Sequence, residues 1–185
     1  EEGAVAKELN TSESKFLKQK LSEAAITLVQ NKNGIVPLKE LDKLSISVIT
    51  IGGKRKDFTE KLKKYVEFNQ TKVVSSPSAS QALAAKDFVK SSNTVIINVE
   101  GTSNSPSKNF GLSKNAIDLI ESIAMDKEVI LVFMGNPYAL AKLNSPELLK
   151  ALVVGYQDDP YLIRAAAEAV MGGIPINGKL PVSEY

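Results

Sequence analysis

The chain has 185 residues, 23 Lys plus Arg against 21 Asp plus Glu, and no Cys, His or Trp. Its length suits one domain, and 43% hydrophobic residues fit a globular core rather than a disordered, collagenous or disulfide-stapled chain. A net charge of +2 gives no push toward nucleic acid or a membrane surface. The longest strictly apolar run, Val129 to Met134, is far short of the ~20 residues of a membrane helix. Without Cys or His the commonest transition-metal ligands are missing, and every catalytic relay built on imidazole is excluded. No metal or cofactor is therefore expected.

Apolar periodicity alternates between helix-like and strand-like along the chain. Asn10 with Glu13 reads as a capping box opening a helix. Its stripe holds Leu17, Leu21, Ala24, Ala25 and Leu28, and it stops near Asn33-Gly34. Ile46, Val48, Ile49 and Ile51 predict a strand ending at Gly52-Gly53. Asp57 with Glu60 predicts a capped helix carrying Leu62, Tyr65 and Val66, and Val73-Val74 a short strand. Ser78 with Gln81 starts a third helix, through Leu83, Phe88 and Val89.

The second half keeps this rhythm. A strand over Val95–Val99 leads into a Ser- and Asn-rich loop from Gly101 to Gly111, and Ser113 caps a helix holding Ile117, Leu119, Ile120 and Ile123. The continuous apolar run Val129 to Met134 predicts a strand buried on both faces. After Gly135-Asn136-Pro137-Tyr138 come a short helix and a strand over Ala151 to Gly155. Asp159-Pro160 reads as an N-cap and first helical residue, and that helix closes on Gly172-Gly173 before the turn Asn177-Gly178. Strands separated by helices predict a three-layer α/β/α sandwich around a mainly parallel sheet of about five or six strands. Ligands and partners are met at the carboxyl ends of such strands.

Little complete chemistry stands at those ends. Gly52-Gly53 occupies the place of a phosphate turn but lacks the Gly-x-Gly-x-x-Gly fingerprint, so it reads as a plain strand-to-helix turn. Lys54-Arg55-Lys56 with Lys61, Lys63 and Lys64 reads as a solvated helix face, broken by Asp57 and Glu60. Asp158-Asp159 could be an acid–base pair, but adjacent side chains diverge and Asp159 serves as a cap. Glu100, at the mouth of a strand beside a polar loop, could act as a general acid, although an ordinary surface role is favoured because no second carboxylate accompanies it in the loop. No base is available to activate Ser75, Ser76, Ser103 or Ser105. The catalytic set is thus empty apart from Glu100. Glu100, Ser103, Asn104, Asn136, Tyr138 and Asp158 remain as loop residues facing a ligand or a neighbouring domain.

Three stretches in order resemble the C-terminal α/β-sandwich domain of family 3 glycoside hydrolases. They are Ala24 to Leu38, with Asn31-Lys32-Asn33-Gly34-Ile35-Val36-Pro37-Leu38 at its exit; Gly135-Asn136-Pro137-Tyr138; and Ala165 to Gly173 followed by Gly178-Lys179-Leu180-Pro181-Val182-Ser183. The resemblance implies that residues 1–11 link a preceding (β/α)8 barrel to a single sandwich domain over 12–185. In β-glucosidase-like members the second domain supplies an acid/base Glu within a Glu-Gly-x-Asp-Arg signature. Here Glu100-Gly101 is followed by Thr102-Ser103, so that role is not transferred to Glu100. The Asn-Pro-Tyr turn is similar to the β-N-acetylhexosaminidase branch, whose barrel holds the Asp nucleophile and a His–Asp pair. The implied reading is a non-catalytic domain of an enzyme removing terminal β-linked N-acetylglucosamine. Its expected partners are the barrel of the same polypeptide and, through it, carbohydrate, with no nucleic acid and no membrane span. A bacterial periplasm or cell envelope fits that chemistry, and the cytoplasm is not excluded. The alternatives are a small-ligand or protein-interaction module, or a β-glucosidase-type second domain using Glu100.

Overall fold

The structure, a computed structural model, describes residues 11–181. In chain order the elements are α1 (Ser12–Ala25), β1 (Thr27–Asn31), β2 (Ile46–Ile51), α2 (Asp57–Leu62), β3 (Asn69–Val73), α3 (Ala79–Phe88), β4 (Thr94–Val99), α4 (Lys114–Ala124), β5 (Glu128–Phe133), β6 (Ala151–Val154) and α5 (Pro160–Val170). The six strands form one sheet in the order β1-β6-β5-β4-β2-β3. All neighbours run parallel except β1, which lies antiparallel on β6. The sandwich inferred from the alternating periods is thus present.

The two-residue repeat of the strands sorts the core into two layers. Ile49, Ile51, Val95, Ile97, Val129, Leu131, Phe133 and Leu152 pack beneath α3 and α4. Val48, Ile96, Ile130, Val132, Ala151 and Val153 pack beneath α2 and α5, with Phe58, Leu62, Ile163 and Ala166. Every residue of β2 and β4 is buried, as is every residue of β5 after Glu128. The continuous apolar run read as a doubly covered strand, Val129 to Met134, is therefore doubly covered.

Local signals set several boundaries. Ser78 and Gln81 close a reciprocal capping box on α3, the Ser113 hydroxyl accepts from the Ala116 amide at the start of α4, and the Asp159 carboxylate accepts from the Tyr161 amide ahead of Pro160. The Lys18 ammonium lies 2.9 Å from the same Asp159 carboxylate and ties α1 to α5.

Other expectations are corrected. The first helix does not run to Asn33. It ends at Ala25, and Leu28 sits in β1. The β-branched and amide residues of Thr27-Leu28-Val29-Gln30-Asn31 find a ladder on β6, which outweighs the helical spacing. Leu17 and Leu21, expected on the buried stripe, are 57% and 63% exposed, and Ala24 is exposed as well. The cap of α1 is Thr11, whose hydroxyl accepts from the Ser14 amide, while Asn10 lies outside the described residues. Asp57 does not cap α2: Lys56 holds that position, and the Asp57 carboxylate instead faces Arg164 at 3.2 Å. Val74 lies beyond β3 and is exposed, as is Leu83 of α3. The expected short helix after Tyr138 is a pair of 3-10 turns, Pro137–Lys142 and Pro146–Leu148.

The quoted sequence stretches meet in space. The Asn31 side chain donates to the Val36 carbonyl at 2.7 Å and accepts from the Val36 amide at 3.0 Å, closing the turn before the cis Val36–Pro37 bond. Leu38 then donates its amide to the Val170 carbonyl. Beside β1, a Cβ on Gly178 would lie 2.5 Å from the Ile26 carbonyl oxygen, and the Gly178 amide donates to that same oxygen. These residues fasten the edge of the sheet to the end of α5.

Two outcomes test this packing. Phe133→Ala, which empties a fully buried ring position, lowers unfolding free energy in urea by about 3–5 kcal/mol. Asp159→Ala costs about 1 kcal/mol at neutral pH. Desolvation opposes ionisation of Asp159, but Lys18 and the Tyr161 amide outweigh it and hold the carboxyl below its ordinary value. Its contribution is therefore present above the unfolded value and fades as pH falls through the folded one, so the deficit of Asp159→Ala narrows on acidification.

Candidate functional site at the carboxyl edge of the sheet

The switch point of the sheet lies between β2 and β4. The chain leaves β2 for β3 on one side and leaves β4 for β5 on the other, which parts the connections above the carboxyl ends. Register pairs Ile51 with Val99, so Gly52 and Gly53 emerge opposite Glu100. Gly52 has φ +79°, and a Cβ there would lie 2.6 Å from the Glu100 carbonyl oxygen. A Cβ on Gly53 would fall on Oε2 of Glu100 itself. The glycine pair is thus required for close approach, a different role from the plain turn expected of it.

Glu100 is not the surface residue favoured by the sequence, being only 2% exposed. The strand alternation aims it, like Asn98, into the α2/α5 side of the sheet. The Asn98 amide nitrogen donates to Glu100 Oε1 at 2.6 Å. Glu100 Oε2 and Asn98 Oδ1 are buried without a hydrogen-bond partner. Burial pushes the Glu100 carboxyl up from its ordinary value. The Asn98 hydrogen bond opposes that rise, and the neighbouring Asp158 charge adds to it.

The surrounding charges form a linked rim. Asp158, exposed, accepts from the Gly101 amide at 3.0 Å and lies 3.7 Å from the Arg55 guanidinium. Arg55 also reaches Asp57 at 3.8 Å, and its carbonyl accepts from the Lys72 ammonium at 3.0 Å. Lys61 pairs with Glu168 at 2.5 Å. Arg55 and Lys61 of the basic stretch are thus engaged within the fold. Asp158 and Asp159 serve different ends of one turn, as their adjacency suggested, but the bond from Asp158 to the Glu100 loop joins positions 57 residues apart and has no local signal.

A second cluster stands above β4 and β5. The Thr102 hydroxyl donates to the Met134 carbonyl at 2.6 Å, and a Cβ on Gly135 would collide with that Thr102 side chain. The Ser103 amide donates to the Phe110 carbonyl, and its hydroxyl accepts from the Ser105 amide, so Ser103 folds the loop on itself. Asn136 accepts from the Tyr138 amide and caps the following turn. Tyr138, 53% exposed, stacks on Phe110 with centroids 6.3 Å apart. Asn109 and Phe110 hold left-handed φ values of 47° and 53°. Asn104 is exposed at the tip. The fold thus brings Glu100 and Asp158 together, and Asn136 and Tyr138 close to the loop carrying Ser103 and Asn104, as two clusters rather than one pocket. Among the described residues, no group of three or more acidic side chains is placed to hold a metal ion. Among them, too, no helix is long and apolar enough to cross a membrane.

Neither a protein-family model nor a curated protein sequence matches the chain. Solved structures do. A family 3 glycoside hydrolase β-N-acetylglucosaminidase from Paenibacillus sp. shares 21% identity with a TM-score of 0.77, the match covering 94% of this chain and 33% of that one. A β-glucoside phosphorylase is 19% identical at a TM-score of 0.67, over 94% of this chain and 32% of that one. A β-glucosidase from Listeria innocua is 14% identical at 0.69, over 90% of this chain and 26% of that one. This chain spans about a third of the length of the first two and about a quarter of the third. It carries the fold of one domain-sized part of these larger enzymes.

Proposed function

We propose that the chain is the C-terminal sandwich domain of a family 3 glycoside hydrolase of the β-N-acetylhexosaminidase branch, packed on a (β/α)8 barrel that holds the catalytic groups. The three ordered sequence stretches and the fold likeness to the Paenibacillus β-N-acetylglucosaminidase support the family reading. In this reading the parent enzyme removes terminal β-linked N-acetylglucosamine, from substrates such as bacterial cell-wall fragments. The loops 101–111 and 135–138 and the 158 turn form the face toward the barrel, and no residue of this domain breaks a bond.

The observation that carries the non-catalytic role is the inward setting of Glu100. A retaining glycosidase needs two reactive groups roughly 5–5.5 Å apart across the sugar. The carboxyl of Glu100 is instead packed on Gly53 and Asn98, with a rim of Asp158 and Arg55 beyond. A general acid in that setting has no path to a glycosidic oxygen on a neighbouring domain. The Gly-Asn-Pro-Tyr turn offers a capped, stacked surface rather than a proton donor.

Two measurements test the reading. In the barrel-containing enzyme, Glu100→Gln keeps kcat/KM within about threefold of wild type, whereas loss of a general acid lowers it roughly 10²–10⁴-fold. A loss of that size in a folded variant overturns the proposal in favour of a β-glucosidase-type acid/base. The 185-residue chain alone turns over no aryl N-acetylglucosaminide, and measurable turnover by it equally refutes the reading.

A further inference from the structure

α1 rests on its own domain by its less apolar side. Phe16, Leu17 and Leu21 are 60%, 57% and 63% exposed, whereas the one fully buried residue of the helix is Ser22. At about 100° per residue, Leu17, Leu21 and Ala24 form one stripe, turned more than roughly a quarter of the way round the helix from Ser22. A surface helix of a globular domain ordinarily does the reverse and turns its apolar stripe to the core. The inner side of α1 offers the small Ser22 and Ala25 and the Lys18–Asp159 ion pair instead. Beside the stripe a groove of about 430 Å³ opens between α1 and the turn from β6 to α5, walled by Leu21, Ala25, Tyr156 and Leu162. Gln157 and Asp159 also line it, so the outer face of α1 runs on into the turn that carries Asp158.

The size of this stripe decides what covers it. The 14 residues of α1 rise about 21 Å, so a strip about 10 Å wide is of the order of 200 Å². A free partner, a second copy of this chain included, needs about 800 Å² on each side to stay bound. A domain on the same polypeptide is spared most of the entropy lost on association, so a contact of this size holds it. The chain enters α1 directly from residues 1–11, which tether anything upstream within about 36 Å of the helix.

We propose that the outer face of α1 and the groove beside it seat a helix from the outer ring of the preceding barrel, with apolar side chains of that helix on Leu17 and Leu21. A (β/α)8 barrel presents helices on its outside, and helix against helix is the packing an exposed stripe of this spacing accepts. The inference rests on the two-domain reading given under the proposed function and adds which surface of the sandwich is joined.

Hydroxyl-radical footprinting of the 185-residue chain and of the barrel-containing enzyme, side by side, tests it. Phe16, Leu17 and Leu21 are expected to label freely in the chain alone and to lose most of that labelling in the whole enzyme. Leu83 and Met125, exposed on the α3/α4 side, label in both and serve as the internal control. Equal labelling of the three α1 residues in the two proteins overturns the proposal, and so does a chain that sediments as a dimer with α1 protected. The double variant Leu17→Glu, Leu21→Glu leaves the urea midpoint of the chain alone unchanged, because both positions are exposed there. In the whole enzyme it raises protease cutting within residues 1–11 about tenfold, which corresponds to ~1.4 kcal/mol of lost contact. Unchanged cutting in a folded double variant refutes the seat, and the wild-type footprint decides should that variant fail to fold. A loss of activity in Glu100→Gln would change the enzyme branch and leave this footprint expected, whereas a failed footprint leaves the non-catalytic reading to the Glu100 test.

Discussion

The inner strands of this sheet have no face in water, and that constraint organises the rest of the molecule. A strand covered on both sides must be apolar or must pair every polar group it carries. β5 meets the condition with Val129-Ile130-Leu131-Val132-Phe133. β4 does not. Thr94 Oγ1, Asn98 Oδ1 and, just past its end, Glu100 Oε2 are buried without partners. All three lie at even positions, and hence on the one face of β4 covered by α2 and α5. Among the described residues, the buried side-chain oxygens left without a partner lie on that line, and it ends at the carboxyl edge of the sheet.

That arrangement explains why the switch point carries glycine. A glycine pair at this place serves as a phosphate turn in other sheets of this kind, but here the space at Gly52 is taken by the Glu100 main-chain carbonyl and the space at Gly53 by the Glu100 carboxyl. A site filled from within is poorly suited to receive a sugar or a nucleotide. The charged rim of Asp57, Arg55, Asp158 and Arg164 then pairs within itself through three ion pairs.

The stretches that resemble the family 3 hydrolases have physical roles in closing the sheet. Asn31 locks its turn through both polar atoms of its amide, Gly172 lets Pro37 approach, and Gly178 lies against the Ile26 carbonyl. Gly135 makes room for Thr102, so the Asn136-Pro137-Tyr138 turn and the loop from β4 are built as one piece. Such residues tolerate little change because backbone lies where a side chain would go.

Period and capping, read from the amino acids alone, determined the layered α/β class, the burial of β5, and the starts of α3, α4 and α5. These depend on hydrogen bonds and burial within a few residues of one another. The same reading could not separate β1 from α1, because Leu28 fits both spacings and only the ladder offered by β6 decides between them. Nor could it bury Glu100. That required the β2–β4 register to bring Gly53 against it, with Asp158 arriving at the next residue, Gly101, from a turn 57 residues further along the chain. Local sequence specifies which residues can pair or be buried. Which carboxyl ends up inside is decided when distant strands align, since the space it enters belongs to a different part of the chain.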